Sequence, residues 1–176
     1  MILIISTCSE TLSENEFVKP IVNLINEGVI VKHYSEIKGD DLKNSDKIII
    51  CGTALKDNVY LGDMTYFEWI KNFNKPLLGI CSGMQIIGLN FEAKLISSKE
   101  IGMNNIKVLI DNKLFSKDFQ AYELHNNSLD KLNEFEILAK TNNSVQIVKH
   151  KEKETYGILF HPEVRNKEII KNFLKI

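Results

Sequence analysis

The sequence predicts an α/β protein with an open, mostly parallel sheet, helices on both faces of that sheet, and an antiparallel extension. In the first half, short apolar runs alternate with amphipathic segments, which is the order that βαβ units produce. In the second half, strand-like segments follow one another across turns rich in Asn, Asp and Lys, which favours antiparallel pairing. The length of 176 residues, without repeats or a linker-like stretch, predicts one domain over residues 1–176.

The parallel part is predicted from short apolar runs rich in β-branched residues, as expected for buried strands. These runs are residues 1–7, 29–34, 47–51 and 77–80. Apolar residues at helical spacing predict a helix over residues 14–27 with Gly28 as its C-cap, and another over 63–73 capped by Asp63. Tyr60 is assigned with the neighbouring aromatic residues to the core. A further helix is predicted from Ser82 towards Asn90.

The antiparallel extension is predicted from five short segments with strand-forming composition. They are residues 106–110, 120–124, 135–141, 145–149 and 156–160. A closing helix is predicted over residues 166–174.

Composition excludes several classes of function. The formal net charge is −1 and Arg165 is the single arginine, which argues against a nucleic-acid surface. No apolar run has the length of a membrane span and the start has no signal-peptide pattern, so we expect a cytoplasmic protein without a membrane partner. Cys8, Cys51 and Cys81 are too few and too far apart for a disulfide framework or a CxxC metal site. We expect free thiols and no metal.

The segment Pro-Leu-Leu-Gly-Ile-Cys-Ser-Gly-Met-Gln, residues 76–85, points to a nucleophile. A buried strand runs directly into Cys81 and a helix follows, with Gly79 and Gly83 on either side, as in a nucleophile elbow. The helix N-terminus favours a thiolate, and the N–H of Ser82 is a free donor for an oxyanion. A buried structural cysteine is the alternative, which the two glycines disfavour. These residues alone leave an α/β-hydrolase-like or peptidase-like enzyme open.

A second segment, Tyr-Gly-Ile-Leu-Phe-His-Pro-Glu-Val at residues 156–164, supplies a base and its partner. An apolar strand ends at His161, and in extended geometry Glu163 points to the same side. Pro162 keeps His161 extended and so favours one arrangement of the pair. Glu163 can then fix the tautomer of the imidazole and stabilise the imidazolium. The alternative is a strand-end histidine beside a solvated carboxylate.

Together these motifs carry a family resemblance. Gly-Ile-Cys-Ser-Gly-Met-Gln resembles the G-x-C-x-G-x-Q motif of class I glutamine amidotransferases, and residues 156–164 are similar to their G-x-Q-F-H-P-E signature. The order, the separation of the motifs and the length also match, most of all the free-standing glutaminase subunit of archaeal GMP synthase. The resemblance implies an amidotransferase-like fold, a Cys81–His161–Glu163 triad and glutamine as substrate. It also implies that Gln85 helps to hold glutamine and that His125 lines its pocket.

The sequence departs from the family pattern near the oxyanion site. Where the GMP-synthase type carries Ser-Gly-Gly-Pro, this chain reads Cys-Gly-Thr-Ala at residues 51–54. The resemblance makes the N–H groups of Gly52 and Thr53 candidate oxyanion donors beside Ser82. Because a β-branched residue resists positive φ, we expect this loop to be arranged differently. Leu159 replaces the family's glutamine, and the Ser-His-x-Asp form is not kept around His125.

The resulting hypothesis is a glutaminase that passes ammonia to a separate synthetase chain, with GMP synthase as a candidate. The chain ends soon after Glu163, so we expect ATP and Mg²⁺ on that partner and no cofactor in this chain. Two alternatives stay open: a γ-glutamyl hydrolase or peptidase of the same fold, and a partner-dependent or inactive regulatory relative. A nucleotide-binding Rossmann protein is disfavoured because no G-x-G-x-x-G follows the first strand.

Overall fold

The structure, a computed structural model, describes residues 1–26 and 28–176. The strands are β1 (Ile2–Ser6), β2 (Val29–His33), β3 (Lys47–Ile50), β4 (Leu77–Ile80), β5 (Lys94–Val108), β6 (Phe119–Asp130), β7 (Phe135–Lys140), β8 (Val145–His150) and β9 (Thr155–Ile158). The helices are α1 (Glu14–Phe17), α2 (Lys19–Val22), α3 (Gly39–Asn44), α4 (Ser82–Asn90) and α5 (Lys167–Phe173). Shorter-pitch 3₁₀ helices cover Thr11–Ser13, Tyr34–Glu36, Val59–Gly62 and Met64–Asn72. Among the described residues, no helix has the length and apolarity needed to cross a membrane.

One sheet of nine strands runs in the order β2-β1-β3-β4-β9-β8-β7-β5-β6. The first five strands in this order pair in parallel, and the pairs from β9 to β6 are antiparallel. The predicted class, an α/β sheet with an antiparallel extension, is confirmed. One detail differs: the prediction groups β9 with the antiparallel strands, but it pairs in parallel with β4. Strand β9 therefore joins the two halves of the sheet.

Helices cover both faces of the parallel half, as predicted. Successive side chains of a strand point to opposite faces. On β1, Ile4 packs in the cluster that holds buried residues of α1, α2 and α5. Leu3 and Ile5 pack in the opposite cluster with α4 and the 3₁₀ helix Met64–Asn72. All three β1 side chains are fully buried, which explains the unbroken apolar run in the sequence.

The first predicted helix is wrong in length. In place of one helix over residues 14–27, α1 ends at Phe17 and α2 covers Lys19–Val22, with Asn23 as its C-cap. Pro20 lies in the first turn of α2, where its missing N–H is tolerated, but it cannot continue α1. Gly28 is therefore not a helix C-cap. Glu27, the last residue of the predicted segment, lies outside the described residues.

The second predicted helix, residues 63–73, has a different geometry. It is a 3₁₀ helix over Met64–Asn72, and the Asp63 side chain does not cap it. Asp63 instead accepts a hydrogen bond from the hydroxyl of Tyr34 at 2.5 Å. The apolar spacing that suggested an α-helix also suits three residues per turn, because Phe67 and Ile70 then share the buried face.

The antiparallel hairpin is much longer than the segments 106–110 and 120–124 that predicted it. Strands β5 and β6 pair from Lys94↔Asp130 to Ile106↔Phe119, with a register shift between Ser97 and Glu100. Few residues of β5 are buried. Its sequence therefore lacks the regular alternation of apolar and polar residues that marks a half-buried strand, and the pattern did not predict its full length.

A close backbone contact joins α4 to strands β3 and β4. A Cβ atom added to Gly83 would lie 2.3 Å from the carbonyl oxygen of Ile50. One added to Gly79 would lie 2.4 Å from the carbonyl carbon and oxygen of Gly83. Both obstacles are backbone atoms, so they cannot move aside as a flexible side chain would. These two glycines let the helix begin directly above the sheet.

We predict that Gly83→Ala lowers the free energy of unfolding by about 1–3 kcal/mol, because the added methyl group overpacks a contact with backbone. Urea denaturation followed by circular dichroism measures the change. Gly39→Ala is the matched control, since a Cβ there would meet no atom within 4 Å. Equal stability of the Gly83 and Gly39 variants would contradict the close contact.

Candidate active site

Cys81 lies at the turn between β4 and α4 in a strained backbone conformation. Its φ of 51° and ψ of −106° are outside the regions that a residue with a side chain usually adopts. The turn is fixed on both sides: the N–H of Cys81 donates to Ile158 of β9 at 2.7 Å, and its carbonyl accepts from Gln85 of α4 at 3.1 Å. This is the strand-turn-helix geometry of a nucleophile elbow, with the sulfur at the carboxyl end of the sheet.

His161 and Glu163 form a buried pair just beyond β9. Nδ1 of His161 lies 2.7 Å from Oε1 of Glu163, and both side chains are 1% exposed. The N–H of His161 donates to the carbonyl of Tyr122 in β6 at 3.0 Å, which fixes the backbone from the other side. With Nδ1 donating to the carboxylate, Nε2 is the nitrogen left for proton exchange. It is buried and has no hydrogen-bond partner among the described residues.

Gly52 brings Cys81 and His161 side by side. A Cβ atom on Gly52 would lie 2.9 Å from Cε1 of His161 and 3.2 Å from Cβ of Cys81. The two side chains thus pack against the same glycine. On its other flank the Cys81 sulfur donates a weak hydrogen bond to the carbonyl of Leu124 at 3.7 Å. The structure therefore brings together the three residues predicted as a triad.

Electrostatics favours the protonated form of His161. Burial by itself would lower the pKa of this imidazole, but the adjacent Cys81 and the hydrogen-bonded Glu163 carboxylate outweigh burial and raise the pKa well above its ordinary value. An imidazolium here can stabilise a neighbouring thiolate and can later give up a proton. The two other cysteines lack such a partner, and burial raises the pKa of both the Cys8 and the Cys51 thiols.

A narrow cleft of about 20 Å³ lies beside Cys81. It is lined by Thr53, Ala54, Leu55, Asp57, Asn58, Tyr60, Cys81, Ser82, Gln85, Leu124, His125, Asn126 and Asn127. The loop after β3 forms one wall and β6 forms the other. The two walls touch where Nδ2 of Asn126 donates to the carbonyl of Leu55 at 3.0 Å.

The candidate oxyanion residues separate into two groups. Thr53 and Ser82 line the cleft, and their N–H groups donate to no described residue. Gly52 does not line the cleft and instead makes room for the side chains of Cys81 and His161. The sequence suggested that the β-branched Thr53 would resist a positive φ. Thr53 is not among the residues with positive φ, so this constraint does not act on the loop. Its hydroxyl holds the loop by donating to Asp57 at 2.6 Å.

The two predicted substrate-binding residues also differ in placement. Gln85 lies in the cleft wall, where Oε1 accepts from the Tyr60 hydroxyl at 2.5 Å and Nε2 donates to the carbonyl of Asn127 at 3.2 Å. His125 borders the cleft, but its side chain is 0% exposed and turns away into a buried group with Glu123. Tyr60, which the sequence pattern assigned to the core, is therefore part of the site. No short sequence signal identifies this role, because the contact of Tyr60 with Gln85 joins residues that are 25 positions apart.

Comparison with known proteins identifies a family and several relatives. A family model described as glutamine amidotransferase class-I matches residues 17–176. A GMP synthase (glutamine-hydrolyzing) subunit of Methanocaldococcus jannaschii is 38% identical over 116 residues, which cover 60% of this chain and 62% of that protein. GMP synthase (glutamine-hydrolyzing) of Borrelia garinii is 34% identical over 159 residues, covering 82% of this chain and 29% of that protein. The chain thus spans less than two thirds of either relative.

Solved structures share the fold. A protein from Thermoplasma acidophilum, described as a GMP synthase subunit, superposes with a TM-score of 0.86 at 24% identity, covering 99% of this chain and 92% of that one. A glutamine amidotransferase from Thermotoga maritima gives a TM-score of 0.74 at 18% identity, covering 99% and 81%. At these identities the likeness shows the common architecture.

We predict that Glu163→Gln lowers the pKa of His161, because the variant keeps a hydrogen-bond acceptor but removes the negative charge that stabilises the imidazolium. An NMR titration of the imidazole resonances measures the shift. The stabilisation that the ion pair gives the fold is complete below a pH of about 6.5 and is lost as the pH rises through the folded-state pKa. The free energy of unfolding of the variant should therefore differ most from that of the native protein below a pH of about 6.5.

Glu136→Gln, which removes an exposed carboxylate from β7, is the control and should leave the pKa of His161 unchanged. If His161 titrates at the same pH with Glu163 and with Gln at that position, the carboxylate does not raise its pKa.

Proposed function

This chain belongs to the class I glutamine amidotransferase family, and we propose that it is a glutaminase that hydrolyses the side-chain amide of glutamine. The observation that carries the proposal is the strained Cys81 elbow packed, across Gly52, against the buried His161–Glu163 pair. A nucleophile, a base and a residue that orients the base are the minimum for acyl transfer through a covalent intermediate. The family membership inferred from the two sequence motifs is confirmed by the match over residues 17–176.

The reaction begins with the Cys81 thiolate. It is stabilised by the imidazolium of His161, whose pKa is raised, and by the N-terminus of α4. The sulfur attacks the side-chain carbonyl of glutamine and forms a tetrahedral oxyanion. His161 then gives the proton on Nε2 to the departing nitrogen, so that ammonia leaves and a γ-glutamyl thioester remains. In the second half His161 takes a proton from water, and the resulting hydroxide attacks the thioester and releases glutamate and the thiolate.

The oxyanion is held by backbone donors in this proposal. Ser82 and Thr53 both line the cleft beside Cys81, and their N–H groups have no acceptor among the described residues. Such fixed dipoles stabilise the developing charge without having to reorganise. Gly52 contributes space instead of a donor. Its lack of a side chain is what allows the nucleophile and the base to approach each other.

Gln85 shapes the glutamine site through a fixed orientation. Both ends of its carboxamide are engaged, one by the Tyr60 hydroxyl and the other by the Asn127 carbonyl. We therefore place Gln85 in the wall that positions glutamine, with Tyr60 locking that wall. His125 supports the same wall from behind, since its ring does not reach the cleft.

The ammonia requires an acceptor. Ammonia is mostly protonated at neutral pH and is then no nucleophile, so direct delivery to a synthetase chain fits the chemistry. Two of the relatives are named as GMP synthases, one of them as a single subunit of that enzyme, which makes a second GMP synthase subunit the first candidate partner. That partner would bind ATP and Mg²⁺. The free thiols of Cys8, Cys51 and Cys81 fit a reducing compartment, and we place the reaction in the cytoplasm.

We predict that Cys81→Ala lowers glutamate release from glutamine more than about 10³-fold, because the covalent step is lost. The assay is run with the chain alone and with the candidate synthetase. A glutamine-analogue electrophile should add to Cys81 of the native chain, and mass spectrometry locates the adduct. Cys8→Ala, a second buried cysteine, is the matched control and should retain activity.

Full glutaminase activity in the Cys81 variant would refute the assignment. Hydrolysis of γ-glutamyl peptides with none of glutamine would identify the γ-glutamyl hydrolase instead. Absence of both the reaction and the adduct, with and without the synthetase, would identify an inactive regulatory relative.

We also predict that Gly52→Ala lowers kcat/KM by about 10²-fold, since a methyl group there must displace His161 or Cys81 from their mutual geometry. Steady-state kinetics measures the loss, and circular dichroism checks that the variant folds. Gly39→Ala is the control. Native kinetics in the Gly52 variant would show that the close packing around this glycine is not needed for catalysis.

A further inference from the structure

We propose that Glu100, Glu123 and His125 form a binding site for a divalent cation of the zinc class, behind the wall of the glutamine cleft. One donor atom from each residue lies within 4.8 Å of the other two, and all three residues are buried. The site is separate from the catalytic pair and lies where β5 and β6 pack on β8. Nothing in the sequence spacing predicts it, and no metal was expected from the cysteines.

The hydrogen bonding of His125 fixes which nitrogen faces the site. Its Nδ1 lies 2.9 Å from the carbonyl oxygen of Ser98, and a carbonyl can only accept, so Nδ1 carries a proton. In the neutral ring Nε2 then has a lone pair. This is the arrangement of a metal-binding histidine, whose second nitrogen typically donates to a backbone carbonyl or a carboxylate.

Nε2 of His125 lies close to two carboxylates. It is 3.1 Å from Oε2 of Glu123 and 3.5 Å from Oε2 of Glu100. A cation between these three atoms would be within reach of all of them. Ligand bonds of about 2.0–2.1 Å in tetrahedral geometry place two donors about 3.3 Å apart, which matches the observed separations.

Glu123 is the observation that points most directly to a ligand. It is 0% exposed, and neither of its carboxylate oxygens has a hydrogen-bond partner among the described residues. The carboxamide oxygen of Gln146, whose nitrogen lies 3.5 Å from Nε2 of His125, is also buried without a partner.

Glu100 has the surroundings of a supported ligand. The register shift between Ser97 and Glu100 turns this carboxylate inward from a strand that is otherwise largely exposed. There it accepts hydrogen bonds from the side chains of Asn104, Thr141, Ser144 and Gln146. Such outer contacts orient a carboxylate that binds a metal.

Charge balance selects a divalent ion. A divalent ion can offset the charges of two buried carboxylate ligands, which a monovalent ion cannot do in full. A mixed set of imidazole nitrogen and carboxylate oxygens suits zinc. The bound ion would connect β5 and β6.

The test measures zinc retention in Cys81→Ala protein, a background that removes the catalytic thiolate as a competing ligand. After EDTA treatment, the protein is equilibrated with ZnCl₂, desalted and analysed by inductively coupled plasma mass spectrometry. We expect about one zinc per chain, with a rise in the midpoint of thermal unfolding. Adding Glu123→Gln should abolish both effects, whereas adding Glu136→Gln, on the exposed side of β7, should preserve them.

X-ray absorption at the zinc edge then identifies the ligands without relying on a variant that might fail to fold. A shell of nitrogen and oxygen at about 2.0–2.1 Å with an imidazole signature supports the proposal. Sulfur in the shell would place the ion on Cys8 or Cys51 and overturn it. No retained zinc, or equal retention in the Glu123 and Glu136 variants, would also overturn it and leave a shared proton as the charge that holds the cluster.

Discussion

The whole site depends on the close approach of α4 to the sheet at Gly79 and Gly83. Because backbone meets backbone there, the chain must turn within one residue, and Cys81 takes the strained conformation that this turn demands. The strain is maintained by hydrogen bonds from both sides of the turn. Gly52 acts in a similar way, because its missing side chain lets His161 pack next to Cys81. Three positions without side chains thus determine where the reactive side chains lie.

The antiparallel extension is part of the active site and not an addition to it. One strand, β6, accepts hydrogen bonds from the backbone of His161 through Tyr122 and from the sulfur of Cys81 through Leu124. It also closes the cleft, where Asn126 donates to the loop after β3. The hairpin β5–β6 is therefore positioned to adjust the nucleophile and base together. A partner that bound this hairpin would act on both.

The sequence predicts those elements that are determined by residues close together along the chain. The strands β3 and β4 and the helix α4 were predicted almost to the residue, because buried apolar runs and the Gly79–Gly83 spacing are compatible with few structures besides a strand that turns sharply into a helix. The break at Pro20 and the 3₁₀ geometry after Asp63 were missed because apolar spacing does not distinguish these helices. The long hairpin and the role of Tyr60 depend on contacts between distant segments. No short stretch of the sequence contains both partners of these contacts.

Two buried histidines show how the same side chain acquires different chemistry from its neighbours. In both, Nδ1 is fixed by an acceptor: Glu163 for His161 and the carbonyl of Ser98 for His125. In both, Nε2 is the ring nitrogen that remains available for other chemistry. For His161 it faces the space beside Cys81, where a proton can move to and from a substrate. For His125 it lies beside Glu100 and Glu123, where we propose that a cation binds. The first arrangement suits catalysis, and the second suits a cation that stays in place.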